Sequence, residues 1–473
     1  MWPVENHLFQ TMLFSNHSQQ NAMPQTIWAL IACIVVVQIL TLTPGVLLND
    51  DGALYLTHAR NIAHGKPYSE TLFIYTTQTA RYSPASYPPI WPLVLAPIYF
   101  FFGLDPDPFK WLNIGILALL ATVVWLAYRR VLSPKAGIAL AALIGFNPYL
   151  TGLKNTVFSE LLFLLLAFLT FYASRLRLGI LCGIAAYFAY GTRPLGALIL
   201  LSVIFADIID QKKLTAFSLK VGLIATSLIV LQNLVVRSEL EYITIATLGE
   251  HSIQENFRFY VGIMSIFLAG DMHIIVRSIV LGLTCGLAVV GIWRSVRIRL
   301  EAEHVFLAIY GLFILLWPIH QARYLLPLLP VLLLYAVRTI RYELSAVPLI
   351  LVALIASFGW RPEIREHAPL KFYQRVKVEL PIDSVFVGST PRALALYAER
   401  RAARYPETGD VREYLRRLQA THLFTCSQDS ADWKQWAESL GHRLFEEDGC
   451  TVWKLDASLA QKNDSAAGVV AIN

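Results

Sequence analysis

PPIWPLVLAPIYFFFG, residues 88–103, decides how the rest of the chain is threaded. The stretch is apolar enough to suggest a membrane crossing, but its sixteen residues fall short of the roughly 20 that a helical span needs. Pro88, Pro89, Pro92 and Pro97 each remove a backbone donor that lipid cannot replace. If the stretch were a crossing and the N-terminus cytoplasmic, every Arg-rich loop would lie outside, against the positive-inside rule. It therefore reads as an interfacial or re-entrant helix on the outer side.

On either side of it the chain is far too apolar for a soluble protein. It has 473 residues, 56% hydrophobic and only 15% charged, where soluble domains carry about a quarter charged. Long uncharged runs without amphipathic period predict a polytopic helical bundle of about eleven spans. These fall near 27–48, 110–128, 136–150, 160–174, 178–191, 195–209, 215–235, 274–293, 303–318, 324–337 and 345–360. The N-terminal 26 residues lack the basic region of a cleavable signal, so the first run reads as a retained span.

The basic breaks are 129–135, 175–177, 210–213, 294–299 and 338–341, and they alternate with breaks poorer in basic residues. That places the N-terminus in the cytoplasm and the C-terminal region outside, as in a bacterial inner-membrane protein. Outer loop 49–109 is rich in Tyr and Pro, and 237–273 reads as a second long loop. Residues 1–361 thus form the membrane domain and 362–473 a small external α/β domain with a polar tail. In that domain 385–389 reads as a strand, 391–402 and 410–419 as helices, 421–426 as a strand, 430–440 as a helix and 443–455 as a hairpin. Cys426 and Cys450 could pair there in an oxidising compartment. The net charge of +6 is scattered at span ends, which argues for snorkelling residues and against nucleic acid.

Chemistry-bearing residues collect at the outer ends of spans. Asp50 and Asp51 follow the first span. One acid could cap a helix, but two adjacent carboxylates at a membrane boundary exceed what a cap needs and suit base or metal-supported chemistry on a hydroxyl. Glu160, at the mouth of another span, is costly unless it functions. Lys66, Arg81, Arg193 and Arg323, with His320 three residues before Arg323, are lone cations at outer mouths. Singly they are anchors; converging opposite three acids they would make a phosphate site. No Walker sequence, dinucleotide fingerprint or zinc-spaced Cys/His cluster is present.

In this order these residues resemble the GT-C superfamily of integral membrane glycosyltransferases, closest to the bacterial aminoarabinose transferases and relatives of the protein O-mannosyltransferases. The resemblance covers roughly residues 27–340. It rests on Asp51 with Tyr55, the pattern running to Tyr68, Tyr87-Pro88-Pro89, Glu160, Thr192-Arg193-Pro194 and Arg323-Tyr324-Leu325-Leu326-Pro327. It implies transfer of a sugar from a polyprenyl-phosphate donor to a lipid, glycan or protein hydroxyl at the outer face. Asp51 would activate that hydroxyl, Asp50 would support it and Glu160 would be the second acid. Arg193 and Arg323 would neutralise the departing phosphate, and Tyr55 and Tyr87 would contact sugar. Gly52 stands where the family often has Glu, and Tyr87 where it often has Lys. A divalent metal on Asp51 and Glu160 therefore stays open, and Lys66 or Arg81 would substitute in the clamp. The rival is a transporter or flippase of lipid-linked saccharides, which would need polar groups near mid-depth.

Overall fold

In a computed structural model, residues 25–45, 50–76, 79, 84–236, 252–340, 347–359, 368–406 and 409–456 are described. The helical part comprises α1 (Gln25–Leu40), α2 (Asp50–Ala63), α3 (Ile90–Phe102), α4 (Pro106–Tyr128), α5 (Pro134–Gly145), α6 (Pro148–Leu153), α7 (Glu160–Arg175), α8 (Gly179–Thr192), α9 (Gly196–Gln211) and α10 (Ala216–Val235). It continues with α11 (Ile253–Ala269), α12 (Ile274–Ile298), α13 (Ala302–Leu316), a 3-10 turn (Ala322–Leu328), α14 (Leu329–Thr339) and α15 (Val347–Gly359). Four described helical stretches are long and apolar enough to cross a membrane: Pro106–Tyr128, Ala216–Val235, Ile274–Ile298 and Ala322–Thr339.

Local chemistry sets the breaks in the helical part. The run expected as a continuous span over 136–150 is split, because Asn147 caps a new helix at Leu150 N and Pro148 cannot donate into the old one. Gln38 of α1 donates into this break, to Gly145 O at 2.9 Å and Thr151 Oγ1 at 3.0 Å. The run at 324–337 opens as a 3-10 turn containing Pro327 before α14 begins. Residues expected as loop within 237–273 include α11, opened by a Ser252–Glu255 capping box. One face of α11 buries Asn256, Tyr260, Met264 and Phe267; a helix polar at its start and apolar along one stripe gives no span-like signal. The helix at 90–102 is short, contains Pro97 and stops at Gly103, whose φ of 59° favours glycine.

The C-terminal part adds α16 (Leu370–Glu379), β2 (Val385–Gly388), α17 (Pro391–Tyr397), β3 (Arg401–Arg404), α18 (Val411–Arg417), β4 (His422–Cys426), α19 (Ala431–Leu440), β5 (Gly441–Glu447) and β6 (Cys450–Leu455). The sheet order is β1-β3-β2-β4-β6-β5, parallel from β1 to β4 and antiparallel beyond. Two features correct the expected layout. The helix expected over 391–402 ends at Tyr397, and Arg401–Arg404 is a strand with Ala402 and Ala403 buried. The edge strand β1 is Phe73–Ile74, lent by the first outer loop. The loop and the sheet are thereby built into one another. Cys426 and Cys450 face each other across β4 and β6 and are disulfide-bonded.

Candidate functional site

Five separate segments bring six charged groups together. Asp50 and Asp51 open α2, Glu160 opens α7, and Arg193 ends α8, in extended backbone before Pro194. Arg323 lies in the 3-10 turn and Arg392 in the first turn of α17. The helix starts are apt places for carboxylates, because free N–H groups there favour negative charge.

The charges alternate. The Arg392 guanidinium donates to Asp51 Oδ1 at 3.0 Å, and Arg323 pairs with Asp51 Oδ2. Arg323 Nε also faces Glu160 Oε1 at 3.5 Å, and Glu160 Oε1 pairs in turn with Arg193. Tyr87 donates its hydroxyl to Asp51 Oδ1 at 2.7 Å and stacks on Tyr55, ring centres 4.4 Å apart. Tyr55 and Ser159 share a hydrogen bond of 3.0 Å, and Ser159 lies 3.5 Å from the Arg193 guanidinium. Three acids and three arginines thus balance to zero formal charge in a buried patch. Two of their polar atoms stay without a hydrogen-bond partner among the described residues, Glu160 Oε2 and Arg392 Nε.

The adjacent acids are driven apart. Burial raises the Asp50 carboxyl above its usual range, and the neighbouring Asp51 adds to this against the pull of Arg392. Burial also pushes Asp51 up, but Arg323, Arg392 and the Tyr87 hydroxyl outweigh it and hold its pKa at about 2. Asp51 is therefore ionised at neutral pH. Asp50 does not cap its own helix: its Oδ1 accepts the backbone amides of Arg392 at 2.8 Å and Ala393 at 3.3 Å. It is an anchor for the sheet domain. His58 orders the loop beside the site, its Nδ1 2.9 Å from Tyr68 O, and burial lowers its pKa to about 4, so it stays neutral.

Of the residues singled out from sequence, Asp50, Asp51, Glu160, Arg193, Arg323, Tyr55 and Tyr87 meet here. Lys66 stands exposed beyond the end of α2, apart from the ion pairs that join the acids and arginines among the described residues. Arg81 lies outside the described residues. The ring of His320 stacks on Phe259 at 4.7 Å. Arg392 and Ser159 escaped sequence reasoning, since one Arg in an ordinary charged segment and one Ser before a helix carry no signal. Among the described residues no three His, Cys, Asp or Glu side chains gather as a metal would require. One oxygen of Asp51 and one of Glu160 face Arg323, so a cation between them would first have to displace a guanidinium. The donor set does not fit a metal.

This arrangement of helices and sheet has counterparts among solved structures. The ArnT protein of Cupriavidus metallidurans bound to undecaprenyl phosphate is similar at a TM-score of 0.59 and 13% identity, over 93% of this chain and 100% of that one. Its apo state gives 0.60. The Archaeoglobus fulgidus oligosaccharyltransferase tethered to an acceptor peptide gives 0.58 at 11% identity, over 93% of this chain and 75% of that one. At such identities the likeness is one of fold. No protein-family model matches the chain, and neither does any curated protein.

Proposed function

We propose that this protein is a membrane glycosyltransferase that moves a sugar from a polyprenyl-phosphate donor to a hydroxyl acceptor at the outer face of a bacterial inner membrane. The observation that carries this reading is the alternating chain Arg392–Asp51–Arg323–Glu160–Arg193, gathered at one end of the helical bundle. The lipid phosphate would meet Arg193 and Arg323, whose planar forks match phosphate oxygens. Asp51 would take the proton of the acceptor hydroxyl as its oxygen bonds to the anomeric carbon. The bond from that carbon to the phosphate oxygen breaks, and the polyprenyl phosphate leaves with the electron pair, its charge met by the arginines. No nucleotide is needed, in keeping with the missing nucleotide motifs.

The reading includes about eleven spans, a cytoplasmic N-terminus and an external sheet domain. The Cys426–Cys450 disulfide supports that orientation, because such bonds persist in oxidising compartments. A flippase is less well supported: the cluster lies at the ends of α2, α7 and α8, and a transport site would sit near mid-depth.

The test is transfer in proteoliposomes supplied with undecaprenyl-phosphate-linked hexoses, pentoses and aminopentoses and an envelope extract as acceptor. Transfer of one sugar, lost in Asp51→Asn, is expected. Full transfer by Asp51→Asn, Asp50→Asn and Glu160→Gln alike would end the reading.

A further inference from the structure

A carboxylate held between two guanidiniums is a weak base, and both oxygens of Asp51 are engaged. Arg323 takes Oδ2, while Arg392 and Tyr87 share Oδ1. Oδ1 thus carries two donors and Oδ2 one, so an acceptor hydroxyl can bond Oδ1 only once Arg392 or Tyr87 leaves it. These donors are held very differently. Arg323 belongs to the bundle, bonded to Gln321 at 2.8 Å and set 4.9 Å over the Phe158 ring. Tyr87 is clamped by its stack on Tyr55 and by the bond that its carbonyl accepts from the Tyr68 hydroxyl at 2.7 Å.

Arg392 comes from the sheet domain, on a helix of seven residues. It lies over the Phe73 ring at 4.6 Å and the Tyr87 ring at 5.6 Å, and its polar holds are Asp51, the Tyr87 hydroxyl at 3.3 Å, Pro84 O at 3.3 Å and its own amide on Asp50. Its Nε lies 3.8 Å from Asp50 Oδ2 without a hydrogen bond. These polar bonds can be exchanged for those of an incoming hydroxyl or water, and the short helix that carries Arg392 packs with the sheet and is no part of the helical bundle.

Resting on the glycosyltransferase reading, we propose that Arg392 is a guard on Asp51, a positioning residue that keeps water from being activated on Oδ1 until an acceptor displaces it. The reaction it suppresses is donor hydrolysis. Water would give its proton to Asp51, its oxygen would bond to the anomeric carbon, and the bond to the phosphate oxygen would break, releasing free sugar and polyprenyl phosphate. A lipid-linked donor waiting beside an uncovered carboxylate would be wasted in this way. The groups facing Asp51 are Asp50 on its own helix, Tyr87, Arg323 and Arg392. Glu160, Arg193, Tyr55 and Arg404 stand one step behind.

The test uses the whole protein in proteoliposomes with the undecaprenyl-phosphate-linked sugar that the wild type transfers, and no acceptor. Arg392→Ala is expected to raise release of free sugar about tenfold or more, because an uncovered base regains part of the 10²- to 10⁴-fold that such groups contribute. The acidic limb of its pH profile should move to higher pH by about 1, since an opposing charge has been removed. Adding Asp51→Asn should return hydrolysis to the wild-type level. Arg392→Lys keeps the charge without the fork and should lie between; it also serves if the alanine variant does not fold. Hydrolysis unchanged in both variants while donor still binds overturns the proposal. Hydrolysis that rises but survives Asp51→Asn overturns it too, because the site would merely have been loosened. If the wild type transfers no sugar from any donor, the glycosyltransferase reading falls and takes the guard with it. Normal wild-type transfer without these changes sinks the guard alone.

Discussion

One helix, α7, carries an arginine–carboxylate cluster at each end, about 22 Å apart by helical rise. At its start Glu160 joins the site; at its end Arg175 lies between Glu301 and Glu303, at 3.2 and 3.0 Å. Tyr128 donates to Glu303 at 2.8 Å, and Arg338 approaches Glu301 at 3.4 Å. Both clusters are largely buried and both join distant segments. At the Arg175 end each carboxylate faces two or more donors within the bundle, and the result is a staple between α4, α7, α13 and α14. The Glu160 end has an acid oxygen with no donor among the described residues, adjacent carboxylates forced to opposite protonation tendencies, and an arginine brought in on the helix beside the sheet. An acid oxygen left open suits chemistry; carboxylates whose donors all come from the bundle suit a staple.

The comparison breaks most directly on Asp51. Asp51→Asn removes the charge at nearly constant size, so transfer by the folded fraction should fall about 10²- to 10⁴-fold. Glu303→Gln should act on stability and leave transfer by the folded fraction near normal. Removing one partner of a buried pair costs about 3–5 kcal/mol, seen as a lower unfolding temperature with near-normal turnover in the folded fraction. If Glu303→Gln abolished turnover without loss of stability, the two ends would not differ as described.

A smaller effect is expected at Arg323. On the proposed reading Arg323→Ala removes a charged partner of the lipid phosphate, worth about 1.5–3 kcal/mol. The donor KM should therefore rise by tenfold or more, read from initial rates. Tyr87→Phe deletes one neutral donor to Asp51, a loss of about 1 kcal/mol, and turnover should change by no more than about tenfold.

The pH prediction follows from Asp51. Its folded pKa of about 2 lies below the ordinary carboxylate value, so its stabilisation is complete above that ordinary value and is lost as pH falls through about 2. Unfolding midpoints from pH 5 to pH 7 should show no loss traceable to Asp51. Asp51→Asn should flatten part of the acid slope below pH 4. An unaltered slope would mean that the two guanidiniums do not hold the carboxylate.

Much of this was legible in the residues themselves. Apolar runs without period announce a helical membrane bundle, because a helix satisfies its own backbone polar groups in lipid. The acids at 50, 51 and 160 and the arginines at 193 and 323 stand out because charge beside such runs is costly. Ser430 before α19 and the short buried strand at 422–426 mark elements of the C-terminal sheet by local rules. Local signals were silent on partnership. Lys66 and Arg323 looked alike as lone cations, yet one is exposed and the other bridges two acids. Phe73–Ile74 has no strand signal of its own and becomes one only because Ala402 and Ala403 offer an open edge. Arg392 is separated from Asp50 by 342 positions in the chain. That Arg392 closes on the carboxylates of α2 is set by how α17 seats against that helix. Composition and period are properties of neighbours along the chain, whereas a charge finds its counter-ion only once packing has brought distant segments together.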